Sequence, residues 1–360
     1  PLYYTMMKNP MILFACFLFP PLAFALPGVQ PSIPDLSGQY VYYKDATFER
    51  ESYTGILCYD ESTYALRYFA PMTKKKQRAK DIQILFSLDP TKNRVDLTGE
   101  RIITAITPED TDIVNYLHDI LYELTARRQK AGSFTGKTES RQDYEQFGGR
   151  VTLHFDALIP LFNLVSITSA NNKAVFSLVT AGQLVSSEDD SFFAFKGMPA
   201  VLTDKRHQFK PKKSPASEQT YQKEGTSVLQ TVALDAQWKQ SMDNLWLLGD
   251  NAILVMDVIP RPANADETML ALLTRKMLLG TDHSYPDLSR LSVLAEAGQT
   301  KISNVLYKPN TESVTQDFKV LTKLGDGSVG FFTLTVFSGA YTKNKAYFQR
   351  ILDSYRIEQR

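Results

Sequence analysis

Two stretches of the sequence carry the glycine spacing used to hold phosphate. Gly325-Asp326-Gly327-Ser328-Val329-Gly330 spells G-x-G-x-x-G, which binds a pyrophosphate when it leads from a strand into a helix N-terminus. Here it leads into Phe331-Phe332-Thr333-Leu334-Thr335-Val336, an alternating strand, so the spacing predicts a hairpin turn instead. Ala131-Gly132-Ser133-Phe134-Thr135-Gly136-Lys137-Thr138 fits a relaxed phosphate-loop pattern, with Ala for the first Gly. That loop needs a buried apolar strand before it, and here the charged helix end Thr125 to Lys130 precedes it. It reads as a Gly/Ser/Thr connection.

Acid–base, metal and nucleophile chemistry find no better support. His118, Asp119 and Glu123 share a helix, with the two acids one turn apart, on the face expected to be solvated. The four histidines (118, 154, 207 and 283) are far apart, and none has a His or Cys at ligand spacing. His154 alternates with Val151, Leu153 and Phe155 and should occupy the polar face of a strand. Cys58 lies in a strand with no nearby His, and there is no Gly-x-Ser-x-Gly. No catalytic, cofactor or metal residue is assigned, and the expectation is a non-enzyme without cofactors.

The elements that would position a binding site are clearer. Tyr40 to Lys44, Phe48 to Tyr59, Tyr64 to Ala70 and Asp81 to Leu88 alternate as strands. Tyr64, Leu66 and Tyr68 share one face, opposite Ala65, Arg67 and Phe69. Ile82, Ile84, Phe86 and Leu88 likewise share a face. These connections predict an antiparallel sheet with one buried side. Thr107-Pro108-Glu109-Asp110 opens a helix, with Thr as N-cap, Pro at the first helical position and acids in the first turn. Ile113, Leu117, Ile120, Leu121 and Leu124 form its apolar stripe. Further strands are expected at Arg150 to Phe155, Leu164 to Ser169, Ala174 to Thr180 and Phe192 to Lys196, with a hairpin at Asn171-Asn172.

A polar interruption, Asp204 to Gly225, then divides the chain. Phe209 and Tyr221 are its only large apolar or aromatic residues, so it predicts a linker between two folded halves. The strand pattern restarts at Thr226. Leu245 to Leu248 and Ala252 to Ile259 form a hairpin through Gly249-Asp250. Asp266 caps a helix whose apolar face holds Met269, Leu270, Leu273 and Met277. A polar stretch with Pro286 precedes strands at Lys301 to Tyr307, Val314 to Leu324 and Val329 to Phe337, and a last helix starts near Thr342. The expected organisation is residues 1–25 as signal peptide with upstream residues, 26–203 as the first domain, 204–225 as linker and 226–360 as the second domain.

The leader rests on Lys8, the uncharged run Met11 to Ala25 and the small-x-small triplet Ala23-Phe24-Ala25. These predict export, to a periplasmic or secreted location. A competing reading takes Leu13-Phe14-Ala15-Cys16 as a lipobox, with Cys16 lipidated. If Ala25 is the cleavage site, Cys58 is the only mature cysteine and no intramolecular disulfide can form. A net charge of +1 gives no general attraction for nucleic acid. The local basic runs, Lys74 to Lys80 and Lys205 to Lys213, read as solvated or as peripheral contacts for anionic headgroups.

Two family resemblances add to these observations. Gly55-x-Leu57 and Tyr64-x-Leu66-Arg67-Tyr68-x-x-Pro71, with the Ile/Phe strand after them, resemble the opening of LolA/LolB-like lipoprotein carriers over about residues 38–100. That resemblance implies a curved antiparallel half-barrel, lidded by helices, that holds acyl chains. The order hairpin, helix, three strands, then a helix running into Ile351-Leu352-Asp353-Ser354-Tyr355-Arg356-Ile357 resembles PsbP-like domains over about residues 228–357. It implies an αβα sandwich used for binding or assembly. The resulting expectation is an α+β envelope protein binding a lipid or other hydrophobic ligand against Tyr64, Leu66, Tyr68, Ile82, Ile84 and Phe86. The alternative is an interaction or assembly module contacting envelope proteins, with no ligand cavity.

Overall fold

Strands rich in aromatic and β-branched residues pair with short connections, and the outcome is a mostly-β chain of two domains with antiparallel sheets and few helices. The computed structural model describes residues 37–48, 50–59, 63–72, 79–89, 94–102, 107–130, 137–144, 147, 149–199, 207–261, 269–279 and 283–360. The expected leader (1–25), Cys16, most of the basic run 74–80 and the helix cap at Asp266 lie outside the described residues. Among the described residues, no helix is long and apolar enough to cross a membrane.

Among the described residues, the chain divides into one unit of 37–199 with Leu278 and Leu279, and another of 207–277 and 283–360. The first contains β1 (Gln39–Asp45), β2 (Ser52–Cys58), β3 (Thr63–Ala70), β4 (Lys80–Asp89), β5 (Arg94–Ile102), α1 (Thr111–Lys130), β6 (Lys137–Tyr144), β7 (Gly149–Asp156), β8 (Leu164–Ser169), β9 (Ala174–Gln183) and the one-turn α2 (Ser191–Ala194). Its nine strands form one sheet in the order β5-β4-β3-β2-β1-β9-β8-β7-β6. A 3-10 turn, Pro108–Asp110, leads into α1. There Thr107 and Asp110 form a capping box, which satisfies amide donors that a helix start leaves open.

The expected single buried side of this sheet needs correction, because both faces are covered around β3. Ala65, Arg67 and Phe69 are as buried as Leu66 and Tyr68. The second cover is the segment expected to be a strand at Phe192 to Lys196. It is instead α2 and an extended tail after it, laying Phe192 and Phe195 against Tyr42. Gly55 makes room for this layer, since a Cβ there would lie 2.4 Å from Tyr42 Cε1 and 2.9 Å from Phe192.

The second domain contains β10 (Ala216–Gln222), β11 (Val228–Asp235), β12 (Lys239–Met242), β13 (Leu245–Leu248), β14 (Ala252–Ile259), β15 (Tyr285–Glu296), β16 (Gln299–Lys308), β17 (Ser313–Lys323), β18 (Val329–Phe337), α4 (Ser338–Lys343), α5 (Lys345–Ser354) and β19 (Arg356–Gln359). The helix α3 (Met269–Leu279) falls between β14 and β15 in sequence. A seven-stranded sheet runs β12-β13-β14-β18-β17-β16-β15, and a three-stranded one runs β10-β11-β19. Between them, Val232, Leu234, Trp246, Leu254, Met256, Phe332, Leu334, Phe348 and Ile351 build one core. Trp238 donates to Tyr347 Oη at 3.0 Å and Tyr347 donates to Asp235 at 3.0 Å, closing its polar edge.

The expected linker 204–225 is also corrected. Its second part is β10, paired residue for residue with β11 from Ala216↔Asp235 to Gln222↔Leu229. Phe209 and Tyr221, its two large residues, pack against the second-domain core. The strand is polar because it is an edge whose side chains are mostly exposed, so composition alone suggested a free connector. The Gly325–Gly330 motif is a hairpin turn, with Leu324 N–H donating to Ser328 and Gly327 N–H to Leu324. In the phosphate-loop lookalike, Lys137 and Thr138 open the edge strand β6, where that fold would need a helix.

Candidate functional site

The six residues expected to line a ligand site fall into three cross-strand pairs on one face. Tyr64 lies opposite Phe86, Leu66 opposite Ile84 and Tyr68 opposite Ile82. The face continues into β2 and β1 through Cys58, Ile56 and Thr54, then Val41 and Tyr43. All six are buried. They lie on the α1 side of the sheet, where Tyr68 and Tyr116 both meet Phe48 edge-on at 5.3 and 5.1 Å. Phe86 approaches His118 at 6.3 Å, and Tyr64 stacks on Phe162. Ile113, Tyr116, Leu117, Ile120, Leu121 and Leu124 give α1 its buried stripe, five of them as the 3.6-residue spacing requires.

One end of this apolar face is polar, and sequence reasoning missed it. Asp45, at the end of β1, is buried. It accepts hydrogen bonds from Tyr116 Oη at 2.7 Å, Thr54 Oγ1 at 3.0 Å and the Thr47 amide at 2.9 Å. Tyr116 Oη also lies 3.2 Å from Thr47 Oγ1. Burial pushes the Asp45 carboxyl above the ordinary range, although these hydrogen bonds oppose it. Burial first, and the Asp45 charge second, raise the Tyr116 phenol. The available signal was an acid in register with Val41 and Tyr43 on a core-facing side of β1.

On the opposite face, Arg67 is a fully buried guanidinium with every arm engaged. Nε and Nη2 bind the two Asp81 oxygens at 2.8 and 2.6 Å. Nη1 donates to Tyr42 Oη at 3.1 Å, Phe192 O at 3.1 Å and Phe195 O at 2.8 Å. It therefore fastens the 191–197 segment to the sheet. Burial alone would raise the Asp81 carboxyl, but the hydrogen bonds and charge of Arg67 outweigh it and hold Asp81 below the ordinary range.

Of the remaining candidates, His118 and Cys58 border this arrangement, and His154 and His207 lie elsewhere. His118 pairs with its neighbour Asp119 at 3.3 Å on α1, and Asp119 is about half exposed. His154 bonds Thr168 at 3.1 Å across β7 and β8. His207 stacks on Phe337 at 3.7 Å in the second domain. Cys58 is buried and forms no disulfide among the described residues. The first domain thus has a buried apolar sheet face on the α1 side, with the Asp45 carboxyl at one end.

Comparison with known proteins adds outline more than detail. Residues 38–193 match a family model described as "Domain of unknown function (DUF7954)". Residues 222–356 match a second, "Domain of unknown function (DUF7955)". Both fit the two-domain division, and neither description is of a lipoprotein carrier. No curated protein matches the chain. Among solved structures it is similar to the solution structure of cyanobacterial PsbP (CyanoP) from Synechocystis sp. PCC 6803. That match has 13% identity and a TM-score of 0.27, covering 42% of this chain and 98% of that one.

Proposed function

We propose that the chain is an exported, non-enzymatic envelope protein whose first domain takes up an acyl chain between its sheet and α1, in the manner of a lidded half-barrel. The observation behind this reading is the continuous apolar face Tyr64, Leu66, Tyr68, Ile82, Ile84 and Phe86, closed by one amphipathic helix and ending at a single buried carboxyl. Each buried methylene contributes about 0.8 kcal/mol, so ten would contribute roughly 8 kcal/mol, enough to offset much of the association cost of about 4–15 kcal/mol. The ligand must displace α1 and break the polar ties that hold it. Lys80 pairs with Asp110 in the turn leading into it at 2.5 Å, and Tyr116 bonds Asp45. Asp45, Thr54 and Tyr116 would then offer hydrogen bonds to a hydroxyl or ester headgroup.

Extraction of the purified full chain with organic solvent, then mass spectrometry of the extract, tests this directly. Co-purified lipid, and displacement of a fluorescent fatty acid from wild type with weaker uptake by Leu66→Gln, is the expected result. No lipid and no probe uptake would leave the interaction-module reading. In its favour, Met72 and Tyr59 of the first domain are largely exposed, at 73% and 55%.

A further inference from the structure

The second domain carries a cationic surface that neither its core nor the acyl-chain face uses. Of the basic run Lys205 to Lys213, residues 207 onward are described, and they form a segment without regular structure whose Phe209 packs against the core. The Phe209 ring lies 5.2 Å from Tyr347 and 6.0 Å from Phe348 on α5. Its carbonyl accepts from Asn344 Nδ2 at 2.8 Å, and the Lys212 amide donates to Gln237 Oε1 at 2.8 Å. The segment is therefore tied beside the start of α5, with Lys210, Lys212 and Lys213 all exposed. Lys343 and Lys345 flank Asn344 and are exposed as well. Arg350, three residues along α5 from Tyr347, is also exposed. Burial raises the Tyr347 phenol and the Arg350 charge opposes that rise, which places Arg350 beside the same ring.

These six cations have no counterions among the described residues, where none of their charged groups enters a hydrogen bond or an ion pair. Residues 207–215 hold no acid, and residues 338–354 hold one, Asp353, which accepts from Gln349 at 2.8 Å. Asp235, behind Tyr347 and Gln237, is buried and accepts from both. The whole chain is nearly neutral, at +1, so the excess is local. Like charges gathered on one face repel, and nothing on these segments offsets that.

We infer that this surface docks on a lipid bilayer carrying anionic phospholipids. Side-chain type favours a charged plane over a shaped site. Five of the six cations are lysines, hydrated point charges on flexible stems that suit scattered headgroup phosphates. A fixed carboxylate or phosphate site would call for the planar fork of arginine. Single-stranded nucleic acid needs exposed rings on which bases stack. Among the described residues, the large apolar side chains that this domain exposes are Met242 and Leu294, neither of them aromatic. Spacing lets the charges act together. Lys210 to Lys213 covers at most about 10 Å of chain and Lys345 to Arg350 about 7.5 Å of helix. Adjacent charges thus lie within a Debye length, about 8 Å at physiological salt. Each Lys or Arg held at an anionic leaflet strengthens binding about fivefold. The inference stands on the second domain alone and is independent of the acyl-chain reading.

The test is flotation of the purified full chain with vesicles of phosphatidylcholine, alone or with about one-third phosphatidylglycerol as the anionic lipid. The chain should float with the anionic vesicles, stay behind with the neutral ones and be released as salt is raised. Lys210→Ser, Lys212→Ser and Lys213→Ser together should weaken binding about a hundredfold. Their melting temperature should match wild type, because all three side chains are exposed and unpaired among the described residues. Lys343→Glu with Lys345→Glu should weaken binding at least as much, and either set suffices if the other fails to fold. Leu66→Gln, on the acyl-chain face, should bind anionic vesicles as wild type does, so failure here and failure of the acyl-chain reading are told apart. The proposal is overturned if the chain ignores anionic vesicles, if neutral vesicles bind it equally, or if a folded lysine set binds as wild type does. It is also overturned if heparin, a soluble polyanion, captures the chain in preference to the vesicles.

Discussion

Each domain carries a cation–carboxylate pair in a sheet, with Asp81 partly exposed in the first and both partners buried in the second, and the two pairs are finished differently. Arg67 meets Asp81 with two short bonds and spends its third nitrogen on Tyr42 and two carbonyls. Lys319 meets Asp317 at 3.5 Å, beside the Asn304 amide and the Thr333 and Thr335 hydroxyls, which have no partners among the described residues. A buried charge is costly wherever it lies, so what distinguishes the two is the state of the neighbours. With all neighbours satisfied, the pair fastens a segment. With neighbours left unmatched, the same kind of pair sits in a patch that is costly to bury.

This contrast can be broken by substitution, most severely at Arg67. Arg67→Met removes the two short bonds to Asp81 and the donations to the Phe192 and Phe195 carbonyls, and should cost about 3–5 kcal/mol, read as a lower urea midpoint for the first domain. Adding Asp81→Val should not restore stability, because the Arg67 donations that hold the 191–197 segment to the sheet remain lost. In the second domain, the double change Asp317→Val with Lys319→Met should leave stability near wild type or above it, since removing both partners of a buried pair is often neutral. Should both doubles behave alike, the distinction between fastener and unmatched patch fails.

Gly55→Ala is the next largest change. Its Cβ would press on Tyr42 beneath Phe192, for an expected loss of about 1–3 kcal/mol in the same denaturation experiment. Smallest should be Thr335→Val, within about 1 kcal/mol of wild type, because its hydroxyl has no bond to lose among the described residues.

The two first-domain carboxyls should also separate by pH. Asp81 is depressed when folded, so its contribution is present above its unfolded pKa and is lost as pH falls through the lower folded one. Asp45 is raised, so its burial penalty is relieved as pH falls through its folded pKa and has gone below the unfolded one. Melting curves across acid pH should show Asp81→Asn removing the acid-side loss and Asp45→Asn removing the opposing gain.

Much of this was legible in the chain, and the failures share a cause. The α1 stripe, the β3 and β4 faces, the hairpin at Gly249-Asp250 and the strand after Gly327 arise from periodicity. The strands that went unread are β5, β6, β10, β12, β15 and β19, and these are the edges of the three sheets. An edge strand needs hydrogen bonds on one side only and can leave both faces polar, as Lys137–Tyr144 shows with KTESRQDY. Alternation of apolar residues, the signal that finds strands, is then absent. The six expected lining residues were placed correctly on one face. Asp45 and the Asn304–Thr335 patch were not seen, because Asp45 meets a tyrosine of α1 far along the chain and the patch exists only once the registers of β16, β17 and β18 are set.

The order of the first sheet has a consequence for the newly made chain. The strand β1 sits between β2 and β9, with Tyr42 opposite Gly55 on one side and Thr180 on the other. Half of its hydrogen bonds must await a segment synthesised long after it, and such distant pairings slow folding. Until β9 arrives, Tyr40 to Tyr43 present an open aromatic edge that invites other strands.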